Sequence, residues 1–360
     1  MAETLKKTSL HDEHLRLKAK MAPFAGFDMP LQYTSVKEEV AAVRTHAGVF
    51  DVTHMGEFFV EGPDAVKFVD HLIPNDFANA GELKAVYSPL CRENGTVIDD
   101  LIAYKLSANK VLIVVNASNM EKDWKWISPK TKGFNCKIDN KTEHYSLLAI
   151  QGPKTEELFF KLGLHPGVDM PYYSIREHHY KNEAIILART GYTGEDGFEL
   201  FCSDKMARTV WNDLLGAGVV PCGLVARDVL RTEVCYPLYG HELTDELTPL
   251  DAALSWTVKM DKGNFIGKGA LASHKPRLRL IKLALEKGIP RDGYAVLNEQ
   301  LQVIGKVTSG TMSPTINKGI AMALVEKDKF KEGGKLFVQV RNNNFEATFM
   351  KKPFVTGGHK

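Results

Sequence analysis

The run Arg189-Thr190-Gly191-Tyr192-Thr193-Gly194-Glu195-Asp196-Gly197-Phe198-Glu199-Leu200 crowds glycines, carboxylates and aromatics between apolar segments that read as strands. Glycines at three-residue spacing permit positive φ and close backbone approach. Tyr192 offers a flat face with a polar tip, and Glu199 stands where the chain turns apolar again. Such a combination suits a flat heteroaromatic ring, stacked on its face and hydrogen-bonded at its edge. By itself the segment is equally well explained as a glycine-rich turn with solvated acids.

A second cluster is Asp99-Asp100, between Glu93-Asn94-Gly95-Thr96-Val97-Ile98 and the apolar Leu101-Ile102. Neighbours on a strand face opposite ways, so one aspartate can look inward while the other looks out. A carboxylate held among apolar side chains is poised as a general base or as partner to a developing cation; the bland alternative is a wet strand end. Tyr87 and Tyr104 flank this pair and also suit an ordinary core. Asn116 and Asn119 follow an apolar strand, where an amide often caps the next helix, a role that fits Asn119 better than Asn116. Arg227 opens a helix with Arg231 on the same face. An arginine at a helix start opposes the macrodipole and calls for a buried carboxylate, an anionic ligand, or a surface pairing with Asp228 or Glu233. Lone His54, in Asp51-Val52-Thr53-His54-Met55-Gly56, reads as a satisfied structural histidine.

These residues must be positioned by a chain of 360 residues, enough for two or three domains. Lys+Arg 46 against Asp+Glu 44 leaves a net charge of +2, too balanced for a nucleic-acid binder with a concentrated basic face. No apolar run approaches the roughly 20 residues that span a bilayer, and the first residues lack the apolar core of a secretory signal. No membrane or nucleic-acid partner is expected. The five cysteines form no Cys-x-x-Cys pair and read as reduced, buried small hydrophobes. No zinc spacing, dinucleotide fingerprint or phosphate loop is present, so no metal is expected.

Periodicity places the elements coarsely. Phe24 to Leu31 reads as a loop broken by Gly and Pro. Ser35-Val36-Lys37-Glu38 has capping-box form, with a helix to about Ala47 presenting Val36, Val40 and Val43 on one face. Gly56 to Val60 suits a strand, and Pro63 the first residue of a helix. Val97 to Tyr104 and Lys110 to Val115 suit a hairpin through Ser107-Ala108-Asn109. Helices are expected near 119–127, 155–162, 204–215 and 226–235, with strands at 146–150 and 184–188. From about Ile281, short β runs alternate with Gly and Asn turns, the texture of an all-β barrel or Greek key. The basic residues of His14 to Lys20 fit a solvated helix face.

Taken together, the segments Phe24-Ala25-Gly26-Phe27, Asp51 to Gly56, Ile98-Asp99-Asp100-Leu101, Val115 to Asn119, Gln151-Gly152-Pro153, Arg189 to Glu199, Gly223 to Arg227, Tyr239-Gly240 and Thr308-Ser309-Gly310 resemble the T-protein family of glycine cleavage aminomethyltransferases across nearly the whole chain. The resemblance implies an α+β fold, a three-domain ring around a central folate channel. Domain 1 is discontinuous (1–58 plus 150–245), domain 2 (59–149) carries the catalytic aspartate, and 246–360 holds connecting helices and a C-terminal β-barrel. It implies that the aminomethyl group on the lipoyl arm of H-protein gives its one-carbon unit to tetrahydrofolate, yielding 5,10-methylenetetrahydrofolate, ammonia and dihydrolipoyl H-protein.

The same resemblance makes Asp100 the catalytic residue and Asp99 its outward or structural neighbour. Glu199 and Arg227 take the pterin-side and folate-site polar positions. Tyr87, Tyr192 and Tyr236 take aromatic wall positions, and Met55, Tyr104 and Asn116 other lining positions. Thr96 departs from the family's usual second glycine, so its turn must admit a β-branched residue. Lys262-Gly263-Asn264-Phe265 lacks the cysteine of the iron-sulfur-associated relatives, and the chain has no flavin domain of the sarcosine and dimethylglycine oxidase kind. Two rival readings are a folate-dependent demethylase of a small substrate and a non-catalytic folate-binding module. The expected setting is a monomer in a bacterial cytoplasm, ahead of a processed mitochondrial protein.

Overall fold

Runs of β-branched and aromatic residues build two sheets and a barrel in the computed structural model, which describes residues 4–359. The first sheet has six strands in the order Ile175–Tyr180, Glu183–Ala188, Gly197–Cys202, Ser146–Gln151, Gly48–Asp51 and Val220–Pro221. All pairings are antiparallel except the last, which is parallel. On one face lie the helices Thr155–Leu162 and Asp204–Gly216, whose Phe159, Met206 and Trp211 join Phe198 and Leu200 in one core.

The helices Val36–Thr45 and Leu224–Glu233 cover part of the other face, where Val40, Val43, Ala226 and Val229 meet Phe50, Ala149 and Phe201. The same core takes in Tyr104, Leu112 and Val114 of a second, five-stranded antiparallel sheet, so it joins the two sheets. Each buried Val, Leu or Phe among them contributes about 1.5–3 kcal/mol by burial. The second sheet runs Lys84–Cys91, Val97–Ser107, Lys110–Val115, Gly56–Glu61, Lys137–Asn140, and its far face packs on the helices Ala65–Leu72 and Met120–Ile127. The C-terminal strands close into a six-stranded barrel, in which Leu278–Leu285 lies between Lys318–Glu326 and Asn343–Met350. Placing the first strand beside the fourth is Greek-key wiring.

Several local expectations shift. The serine cap forms, with Ser35 Oγ accepting from Glu38 N at 3.2 Å, but Glu38 Oε2 returns to the Ser35 hydroxyl at 2.8 Å rather than to its backbone N–H, so the full box is not made. The helix after Pro63 starts at Ala65, two residues late, and the helix bearing Arg227 starts at Leu224 behind Gly223. Phe24 to Leu31 is no loop: Lys20–Phe24 and Phe27–Gln32 pair as a hairpin, with Ala25 and Gly26 at φ 49° and 80°, as a two-residue turn of the primed type requires. The basic side chains Arg16, Lys18 and Lys20 are solvated, but they do not share one helix face. The helix ends at Arg16, Lys20 begins a strand, and buried His14 contacts Asp51 at 2.8 Å. The turn at Thr96 leaves the left-handed conformation to Gly95 at φ 85°, while Thr96 donates through N and Oγ1 to Asn94 Oδ1.

Candidate functional site

Alternation along Val97–Ser107 sends Asp99 and Asp100 to opposite sides of the second sheet. Asp100 lines a cavity of about 790 Å³ between the two sheets and the barrel, whose strands contribute Leu280, Lys282 and Met322 to its wall. Asp100 Oδ1 accepts from Asn116 Nδ2 at 2.8 Å and Oδ2 accepts from the Tyr87 hydroxyl at 2.9 Å. Burial, then the adjacent Asp99 charge, pushes the Asp100 carboxyl up to about 7. Neither aspartate sits at a wet strand end. Asp99 does not look outward to solvent: it is fully buried and accepts from Asn116 N at 3.2 Å, Asn116 Nδ2 at 2.9 Å and Asn119 Nδ2 at 2.7 Å. Asn119 occupies the N-cap position of Met120–Ile127 but makes no capping bond, because its amide serves Asp99 instead.

A second wall comes from the first sheet and the helix Leu224–Glu233. Glu199 Oε2 accepts from the Thr190 hydroxyl and from the Tyr104 hydroxyl at 3.3 Å. The Arg227 guanidinium stacks over the Tyr192 ring at 4.6 Å. No surface pairing compensates it: Asp228 goes to Arg231 at 2.7 Å and Glu233 to Arg44 at 2.7 Å, so no carboxylate among the described residues pairs with Arg227. Burial lowers its pKa, and its guanidinium N–H groups are left for an acceptor in the cavity. Tyr192 donates its hydroxyl to the Pro237 carbonyl, and Tyr236 exchanges a hydrogen bond with His359 Nε2 at 3.0 Å. Met55, Tyr87, Tyr104, Asn116, Tyr192, Glu199, Arg227 and Tyr236 thus all line the cavity with Asp100.

The acids of the segment from Arg189 to Leu200 are not solvated. Arg189 Nε and Nη2 grip Asp196 at 2.9 and 2.7 Å, and Arg44 Nη1 donates to Glu195 at 2.9 Å. Gly194 takes φ 81°, and a Cβ on Gly191 would lie 1.9 Å from Gln151 Oε1. These constraints hold the segment rigid, so Glu199 and Tyr192 face the cavity from fixed backbone.

Some positions escaped sequence reasoning. Tyr172 and Tyr173 line the cavity, and so does Trp256, 56% exposed and stacked on Tyr87 at 6.0 Å. The paired tyrosines after Pro171 were the available signal. Cys235 lines the wall rather than filling core, with φ 62°, and Cys136 is also only half-buried. His54 is buried but not satisfied: its Nδ1 has no partner among the described residues, and burial followed by the Arg227 charge lowers its pKa to about 4.

Comparison with known proteins finds relatives along nearly the whole chain. The family model described as GCVT N-terminal domain matches residues 10–262, and that described as glycine cleavage T-protein C-terminal barrel domain matches 278–356. The chain is 45% identical to an aminomethyltransferase of Thermosipho melanesiensis, with 99% of each covered, and 46% identical to one of Thermotoga petrophila, with 98% of each covered. It superposes on the crystal structure of glycine cleavage system aminomethyltransferase T from Bartonella henselae with a TM-score of 0.93 at 33% identity over 99% of both chains. Among the described residues no helix is long and apolar enough to cross a membrane. With both family models matched in order and relatives of this identity over full length, the chain belongs to the glycine cleavage T-protein family of aminomethyltransferases.

Proposed function

We propose that the cavity takes tetrahydrofolate, with Glu199 and Arg227 on its pterin and Asp100 beside the reacting nitrogens, and that the donor is the aminomethylated lipoyl arm of an H-protein. The activity is that of the glycine cleavage aminomethyltransferases. One observation carries the residue assignment: a single cavity gathers a carboxylate of raised pKa, Asp100, with a second carboxylate, Glu199, and a half-buried arginine, Arg227, that no carboxylate among the described residues pairs with. Its volume lies in the range of small-molecule sites. Both hydrogen bonds to Glu199 fall on Oε2, so Oε1 is available to ring N–H donors.

Tetrahydrofolate supplies the nitrogens that take up the one-carbon unit. The protein's part is orientation and charge placement. Asp100, held at both oxygens by Asn116 and Tyr87, balances the positive charge that develops on the carbon as ammonia leaves, and it accepts the proton released from nitrogen. The surrounding tyrosines and Met55 exclude water from that step. We assign the protein to a bacterial cytoplasm, as the bacterial relatives suggest, and read it as a monomer. The demethylase and pure binding-module readings have no observation in their favour.

Two measurements follow. Glu199→Ala weakens tetrahydrofolate binding by about 1–3 kcal/mol, since the ring edge loses its charged acceptor; unchanged affinity by calorimetry would remove Glu199 from the site. The transfer rate of the wild-type protein depends on ionised Asp100, so kcat rises with pH and levels off above about 7. A profile flat down to pH 5 would contradict that role.

A further inference from the structure

Behind Asp100 lies a buried carboxyl that the reaction does not touch. Asp123, on the helix Met120–Ile127, is fully buried, and neither carboxyl oxygen meets an N–H or O–H donor among the described residues. The helix packs on the strand Val97–Ser107, and the carboxylate that Asp123 meets there is Asp99. Two bare carboxylates repel, so this contact requires a shared proton. Three N–H donors from Asn116 and Asn119 already stabilise Asp99 as the anion. The proton therefore resides on Asp123, whose pKa burial and the Asp99 charge raise to about 10. The Asn116 amide that serves Asp99 also holds Asp100 Oδ1 at 2.8 Å, so contacts run unbroken from Asp123 to Asp100.

We propose that Asp123 is a positioning residue for the transfer reaction: by donating its proton to Asp99 it keeps that carboxylate anionic and so fixes the Asn116 amide against Asp100. The proposal rests on the assignment of the chemistry to Asp100. The charged and titratable groups around the pair are Asp100 from the same strand as Asp99, Lys122 from the helix itself, and Tyr239, Asp245 and Arg92 beyond Lys122. Tyr87 faces Asp100 from the neighbouring strand. Without the Asp123 donor, burial is left to favour the protonated form of Asp99. The charge that holds the Asp100 pKa up then disappears, and a neutral Asp99 releases Asn116.

The test measures kcat against pH for the full chain with aminomethylated H-protein and tetrahydrofolate, in wild type, Asp123→Ala, Asp123→Asn and Asp100→Asn. For Asp123→Ala we expect kcat about tenfold lower, an acid limb moved down by about one pH unit, and a tetrahydrofolate KM within about twofold of wild type. Asp123→Asn still donates to Asp99 and retains both the wild-type kcat and the wild-type acid limb. A purely structural residue would lower stability without moving the limb. Wild-type behaviour of Asp123→Ala, or equal impairment of a folded Asp123→Asn, overturns the proposal. Should Asp123→Ala fail to fold, Asp123→Asn decides alone, since a reduced kcat or a shifted limb there also overturns it. Full activity of Asp100→Asn would instead remove the underlying assignment, whatever the Asp123 variants do.

Discussion

Replacing Asp100 by asparagine lowers kcat for aminomethyl transfer by roughly 10²–10⁴-fold, the span of a lost general base. The substitution keeps shape and removes charge. The new amide still offers an oxygen to Tyr87 or Asn116, so the wall of the cavity survives. What is lost is the group able to take a proton and to face positive charge on the transferred carbon. Tetrahydrofolate affinity changes by less than about threefold, because the edge contacts proposed for the ring belong to Glu199 and Arg227, which line another wall of the cavity. Folding stability does not fall, since removing one of two adjacent buried acids relieves their repulsion. Single-turnover kinetics beside a binding titration separates these effects. Loss of binding in step with loss of rate would make Asp100 a ligand contact rather than a catalytic residue.

The largest stability effect belongs to Arg231. It is 1% exposed and donates to Asp228 Oδ1 at 2.8 Å, Glu242 Oε2 at 3.1 Å and Ser309 Oγ at 2.8 Å. Ser309 lies on the barrel strand Val303–Ser313, so this side chain ties the helix that bears Arg227 to the C-terminal barrel. Arg231→Ala leaves Glu242 buried and uncompensated, which costs about 3–5 kcal/mol. Asp228→Ala breaks only the half-exposed arm of the network and costs at most about 1 kcal/mol. Denaturant unfolding of the two variants side by side checks the ranking, and equal costs would contradict it. Because Arg227 rides on the same helix, tetrahydrofolate binding in Arg231→Ala should weaken on warming before global unfolding sets in.

Local chemistry explains what could be read in advance. Ser35 and Glu38 satisfy one another within four residues, and Gly191 and Gly194 answer to backbone constraints of their own segment, so these features were legible. The placement of Asp100 followed from strand alternation together with family resemblance; composition alone left it undecided against Asp99. What failed was set by partners distant in the chain. Asn119 looked like a cap because only its neighbours were visible, whereas its amide is claimed by Asp99, 20 residues earlier. Glu195 and Asp196 looked solvated because Arg44 and the return of Arg189 into the core could not be seen. The role of His14 depends on Asp51, brought to it by the end of the strand Gly48–Asp51 in the first sheet. Tyr172 and Tyr173 reach the cavity from a loop, and Trp256 from the single 3-10 turn Ser255–Thr257, which is too short to show a periodicity.

One cavity, one folate acceptor and one lipoyl-borne donor together make up the reaction assigned to this chain. It is tested by mixing the purified protein with aminomethylated H-protein and tetrahydrofolate and following ammonia, 5,10-methylenetetrahydrofolate and free dihydrolipoyl thiols together. All three products should appear in equimolar amounts, at a rate that Asp100→Asn cuts by about 10²-fold or more. Tetrahydrofolate binding with no ammonia released above the protein-free rate would overturn the assignment.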